Sequence, residues 1–226
     1  MEELFTQFDY WGAVRLTLWL TLTSAVGALV IGTVVAVMRV SPVPVLRGAG
    51  AAYVNIIRNT PLTLIVVFCL LGLRYGMGIG LADPDATTSI DDNIVRWAII
   101  GLSVYHAAFV CEAIRSGVNT VPDGQAEAAR SIGLGFTASL RHVVMPQALR
   151  GAIAPIGSVM IALTKNTTVA SAIGAAELAG FMKTAQELRA DLTTPIFVLV
   201  ALTFVAITLP MGMAFTSASR RLAVKR

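Results

Sequence analysis

Hydrophobic residues in this chain come in long runs rather than at alternating or every-third positions. Leu16 to Val37 is almost continuously apolar, interrupted by Thr17, Thr21, Thr23 and Ser24, whose hydroxyls can bond back to helix carbonyls. A bilayer-crossing helix needs about 20 such residues, so this run predicts a first span. A basic turn holding Arg39, Pro42, Pro44 and Arg47 follows, and a second apolar stretch runs from about Ala49 to Leu73, interrupted by Arg58-Asn59-Thr60-Pro61. Pro61 lacks a backbone donor, so the helix opens there: the span either starts at that point or kinks inside the bundle. Between Arg74 and Asn93 a Gly-rich loop carries Asp83, Asp85, Asp91 and Asp92 and must face water. Ile94 to Ile114 predicts a third span, with His106 near its middle and Glu112 near its end. Gly151 to Leu163 and Val169 to Leu178 flank the polar stretch 164–168 and read as a fourth span with an interrupted or cavity-lining end, while Pro195 to Phe215 is the fifth. The fold class is therefore all-α integral membrane with about five transmembrane helices, and residues 1–226 form a single transmembrane domain.

Composition agrees and narrows the function classes. Of 226 residues, 56% are hydrophobic and only 13% charged, with a mean hydropathy of +0.75, which leaves no room for a soluble catalytic domain. The net charge of +4 reflects cytoplasmic loops rather than nucleic-acid binding. About eleven of the 17 basic residues (Arg39, Arg47, Arg58, Arg115, Arg130, Arg141, Arg150 and the last four) fall on one side and most acidic residues on the other. The basic side is cytoplasmic, so an odd number of spans places the N-terminus outside and the C-terminus inside. The acidic, aromatic opening lacks the basic start of a secretory signal and is expected to stay on the mature protein. Cys69 and Cys111 stand alone in apolar stretches, which predicts neither a disulfide nor a metal site.

The segment between the third and fourth spans, about residues 118–150, is too polar to cross a membrane yet helical in pattern. Pro122 and Asp123 suit a helix start, Gln125 to Ser131 favours helix, and Gly133 with Gly135 breaks it; Thr137 to Met145 forms a second short helix before Pro146. Ala126, Ala128 and Ala129 make the first helix thin enough to enter a groove on a partner, with Glu127 and Arg130 at its edge; the plainer alternative is a helix lying on the lipid surface. Among the interior charges, Arg58 and Lys165 either line a path for a carboxylate-bearing solute or pair structurally, while Glu112 and Arg115, one turn apart, read as an ion pair. His106 reads as a packing or hydrogen-bonding residue and His142 as a docking or surface residue. Gly76-x-Gly78-x-Gly80 reads as a turn, and the absence of a Walker A motif leaves nucleotide chemistry to another chain. An intramembrane hydrolase would need Ser158 and His106 together. No residue is assigned a catalytic role.

These motifs carry a resemblance. Glu127-Ala128-Ala129 followed by Gly133 and Pro146 resembles the EAA loop of ABC-importer permeases. Arg58-Asn59-Thr60-Pro61-Leu62 resembles the RGTPL element of the polar amino-acid permeases, GVNTVPDGQAEAARSIGL their GGIxSVPxGQxEAAxxLGL, MPQALR their LPQAxR, and LTKNTTVAS their LLKDTSLAS. Together they extend over about two thirds of the chain in the same order. The finer features RVSPV, RNTPLTL and LPMG are similar to one permease of the actinobacterial glutamate importers. The resemblance implies a type I importer permease for polar amino acids, with glutamate favoured over aspartate or glutamine. It implies a second, homologous permease beside it, an extracellular solute-binding protein, and an ABC ATPase that binds ATP and Mg, this chain holding no cofactor of its own. It further implies ATPase coupling through Gln125, Glu127, Ala128, Ala129 and Gly133 and a substrate path past Arg58, Asn59, Thr60, Lys165, Asn166 and Thr167. Two departures stand out: Asn59 replaces the usual Gly, and Asn166-Thr167-Thr168 replaces Asp-Thr-Ser, removing one negative charge, which suits an anionic substrate. The competing expectation is a secondary transporter or channel acting alone.

Overall fold

In the computed structural model, residues 8–222 are described. The opening heptad and the basic pair Lys225 and Arg226, used above for orientation, lie outside them. The chain folds as α1 (Tyr10–Val40), α2 (Pro44–Asn59), α3 (Leu62–Gly76), α4 (Ser89–Val118), α5 (Asp123–Ser131), α6 (Phe136–Ile173), α7 (Leu178–Leu188) and α8 (Thr193–Leu222). Helices α1, α4, α6 and α8 are each long and apolar enough to cross a bilayer, and α2 with α3 forms a fifth crossing bent by 103°.

The buried face of α1 inverts the pattern of a soluble helix. Ala13, Thr17, Leu20, Ser24, Ala28, Gly32 and Val35 point inward, while Trp19, Leu22, Val26, Val30 and Val34 are exposed. Lipid is as apolar as leucine, so bulky side chains gain nothing by turning inward; small ones allow close packing and their hydroxyls can be satisfied there. Thr17 and Thr21 donate to the carbonyls of Ala13 and Thr17, and Ser103 of α4 donates to the Ser24 carbonyl at 3.3 Å.

The contacts also fix helix direction. Gly27 of α1 meets Ser103 of α4, Gly32 meets Ala107 and Val110, and Arg39 meets Glu112, so α1 and α4 run parallel. Two parallel neighbours need a crossing between them, which the bent α2–α3 pair supplies. Helix α6 lies antiparallel to α4, with Gly117 against Ala148 and His106 against Asn166. Helix α8 is antiparallel to α6 in turn, with Phe215 against Gly157 and Ile161 against Gly212. First and last helices therefore point the same way, and five crossings leave Tyr10 and Leu222 on opposite sides.

Close approach at Gly117 is tight: a Cβ there would lie 2.1 Å from the Ala148 carbonyl oxygen. Gly117→Leu is expected to force α4 and α6 apart at a cost of about 3 kcal/mol, seen as a fall in membrane-inserted, folded chain.

Three expectations are corrected. Pro146 does not end a short helix: α6 runs through it, because a π-helical turn at Leu140–Val144 absorbs the missing donor. The Gln147 side chain bonds the Val143 carbonyl beside it at 3.0 Å. The polar stretch 164–168 does not interrupt the fourth span either; the helix tightens to 3₁₀ over Thr167–Ile173 while Thr167, Thr168 and Ser171 hydroxyls satisfy carbonyls three residues back. That span stops at Gly174, whose φ of +96° ends the helix, so Leu178 belongs instead to the separate helix α7.

Candidate functional site

Two regions gather the residues singled out in the sequence. The first is α5 and its exit. Gln125, Glu127 and Ala128 are exposed, whereas Ala129 is buried against the adjoining segment, so the thin helix is held by one face and open on the other. Its end is a Schellman closure: the Leu134 amide donates to the Ala129 carbonyl at 3.1 Å and the Gly133 amide to the Arg130 carbonyl at 2.9 Å. Gly133 adopts φ +86° to make it, with open space around it. The closure projects Ile132 outward with 78% of its surface exposed, next to half-exposed Phe136. The exit of this polar helix thus presents two apolar side chains. Sequence reasoning missed Ile132 because it read the segment for small and charged residues only.

The second region lies at the bend between α2 and α3 and around Asn166. Pro61 has no N–H for the Ile57 carbonyl, which takes the Thr60 amide at 3.2 Å instead; the Ile56 carbonyl this frees accepts from Thr60 Oγ1, and Asn59 Nδ2 donates to the Asn55 carbonyl. Both residues thus shape the bend. Arg58, in the last turn of α2, sits with its guanidinium 5.4 Å from the centre of the Phe109 ring. Lys165 is exposed. Among the described residues, neither cation has a carboxylate within ion-pair distance. Asn166 is half-buried, with its Nδ2 3.1 Å from His106 Nε2. Thr167 is fully buried and donates to the Thr164 carbonyl, so its hydroxyl is committed to the backbone. The structure thus brings Arg58 and Asn166 to the same aromatic face of α4.

His106 and Ser158 do not meet: the ring nitrogens face Leu102 and Asn166, and the Ser158 hydroxyl donates to Ala154. The hydrolase arrangement is absent. Glu112 pairs with Arg115 at 3.6 Å, as the spacing predicts, and also with Arg39, clamping the end of α1 to α4. Cys69 and Cys111 are both buried and free.

Glu177, not singled out in the sequence, is fully buried and caps α7. Its carboxyl accepts from the Ala179 and Gly180 amides at 3.0 and 3.1 Å, while Thr17 of α1 accepts from the Leu178 amide. Burial pushes its pKa up to about 7 against the opposing pull of the two amides. A raised folded-state value means the proton is held more tightly in the fold, so this stability is full below about 4.5 and lost as pH rises through about 7. The thermal midpoint of detergent-solubilised protein should fall between pH 5.5 and about 8, and Glu177→Gln should flatten that slope.

Comparison with known proteins places this geometry. The glutamate transport system permease protein GluC of Corynebacterium glutamicum is 48% identical over 217 residues, covering 96% of this chain and 93% of that protein. The probable glutamine ABC transporter permease protein GlnP of Bacillus subtilis is 35% identical over 218 residues, with 96% and 93% covered. The crystal structure of an amino acid ABC transporter with histidines superposes with a TM-score of 0.79 at 24% identity over 94% of this chain and 93% of that one, so the fold is that of an ABC importer permease. Residues 28–224 match the family described as binding-protein-dependent transport system inner membrane component, and this multi-pass membrane chain belongs to it.

Proposed function

We propose that the chain, acting as one permease domain over residues 1–226, imports glutamate as part of an ATP-driven complex. Its partners are an ABC ATPase on the cytoplasmic side, which binds ATP and Mg, a second homologous permease, and an extracellular solute-binding protein. The observation that carries the coupling half of this reading is α5, a thin helix gripped on one face, open on the other and stopped so that Ile132 projects. A groove on the ATPase takes that helix, and closure of the ATPase pair on ATP tilts the spans that α5 joins, α4 and α6. Gln125, Glu127, Ala128 and Gly133 form the contact, while Ala129, buried on the held face, seats α5 against the adjoining segment.

The substrate half rests on charge. Arg58 and Lys165 are cations without a protein carboxylate among the described residues, and Asn166 is neutral. Both are exposed on the single chain, and a cation at membrane depth costs roughly 2.5 to 3.5 kcal/mol, which an arriving dicarboxylate offsets. Asn59 and Thr60 shape the bend and Thr167 braces the wall, so these three support the path by position. Glutamate is the substrate carried by the relative that is 48% identical over most of both chains. Uptake of radiolabelled L-glutamate in cells lacking their own glutamate transport, with the complete transporter expressed, tests the assignment. Saturable uptake outcompeted by unlabelled glutamate but not by lysine is expected; uptake outcompeted by lysine would overturn it.

A further inference from the structure

His106 is a polar side chain with 1% of its surface exposed, in the middle of α4. Its Nδ1 lies 2.9 Å from the Leu102 carbonyl oxygen, four residues back on the same helix. A carbonyl only accepts, so Nδ1 carries the hydrogen and Nε2 of the neutral ring is left as an acceptor. The group facing Nε2, 3.1 Å away, is the Nδ2 of Asn166 on α6, which donates to it. The ring cannot turn freely: the Tyr105 ring stands edge-on at 5.1 Å and the Phe109 ring lies at 6.4 Å. Phe109 in turn carries Arg58 over its face.

This arrangement decides which way the Asn166 amide faces. With Nδ2 committed to His106, Oδ1 and the second amide hydrogen are left over. Neither has a protein partner among the described residues, and Asn166 is only half-buried. We propose that His106 is a positioning residue for amino-acid recognition: by accepting one Asn166 hydrogen, it holds the carboxamide in the orientation that offers its carbonyl oxygen to the ammonium group of the passing amino acid. The proposal rests on the reading that Arg58 and Asn166 line the path. It gives α4 a part in recognition that its span composition does not suggest. It also assigns His106 no proton transfer.

The test is a double-mutant cycle on the complete transporter, in cells lacking their own glutamate uptake, reading KM and Vmax for radiolabelled L-glutamate alongside chain abundance in the membrane. His106→Leu keeps the volume and removes the acceptor, and is expected to raise KM about tenfold with Vmax and abundance within about twofold. His106→Gln, whose side-chain carbonyl can accept the same hydrogen, should recover KM to within about threefold. Asn166→Ala should raise KM comparably, and adding His106→Leu to it should change nothing further, because the two act through one contact. Additive effects in the double variant, or a fall in abundance and Vmax at unchanged KM, would overturn the proposal and leave His106 a packing residue. If Asn166→Ala raises KM and His106→Leu does not, positioning fails while the path survives. If Asn166→Ala leaves KM unchanged, the path itself is wrong and the proposal falls with it.

Discussion

Gly133→Val is expected to abolish ATP hydrolysis coupled to transport while leaving the chain in the membrane. A β-branched residue is strained at φ +86°, and the Schellman closure it breaks holds the Gly133 and Leu134 amides. Strain plus lost hydrogen bonds amounts to about 2 to 3 kcal/mol against the structured stop, enough to reduce coupling about 30- to 100-fold. Nothing lies within 4 Å of the position a Cβ would take, so the loss comes from the backbone and from Ile132, which no longer projects from a fixed point. Gly133→Asn separates this account from simple crowding, because asparagine tolerates the left-handed region and should keep most of the activity. The readout is ATPase activity stimulated by the substrate-loaded binding protein in proteoliposomes. Normal transport by Gly133→Val would refute the docking role of the α5 exit.

The second large effect is expected at Asn166. Asn166→Asp places a carboxylate on the same aromatic face as Arg58, where a glutamate side chain would pass. At about 6 Å and an effective dielectric of about 20, two like charges repel by about 3 kcal/mol, so glutamate KM relative to glutamine KM should rise about a hundredfold, the new carboxylate's attraction for the ammonium group being common to both substrates. Glutamine, whose side chain is neutral, should be affected far less. The ratio of the two substrates is the informative quantity, since a general loss of folding would lower both. Unchanged glutamate uptake in Asn166→Asp would end the charge argument.

Much of the architecture was legible in the chain because lipid permits so few backbone solutions. Long apolar runs had to be helices, the helix had to open at the Arg58–Pro61 interruption, and the Gly133 break had to close α5. The failures share a physical cause. Pro146 and the stretch 164–168 look like breaks by local rules, but a π turn absorbs the one and threonine hydroxyls satisfy the backbone of the other. Local composition does not reveal where displaced carbonyls find donors. The fourth span reads as far as Leu178, the first residue of α7, because the run Val169 to Leu178 is apolar apart from Ser171 and Glu177, whereas the turn that ends the helix at Gly174 depends on a single positive φ. Glu177 drew no notice because a lone carboxylate after an apolar run reads as a boundary; the turn that carries it docks on α1, more than 150 residues away, where Thr17 accepts the Leu178 amide.

At the candidate sites the sequence located the residues but not their division of labour. Arg58, Asn59 and Thr60 are adjacent in the chain. In the structure two of them fold back on α2 and one reaches over Phe109. Asn166 and Thr167 are likewise neighbours that diverge, one toward His106 and one into the backbone. Helical geometry turns successive side chains by about 100°, so a motif read as a unit is distributed over different surroundings.

The claim on which the rest depends is that α5 is gripped by an ATPase. The most direct measurement is to tag the chain, purify it gently from native membranes and identify its companions by mass spectrometry, alongside a variant carrying Ile132→Asp at the exposed tip of α5. The account predicts an ATPase and a second permease in amounts comparable to the chain, with the ATPase lost and the permease retained in the variant. A chain that purifies alone, with the segment 118–150 open to protease, would contradict it and point to a transporter that works without ATP.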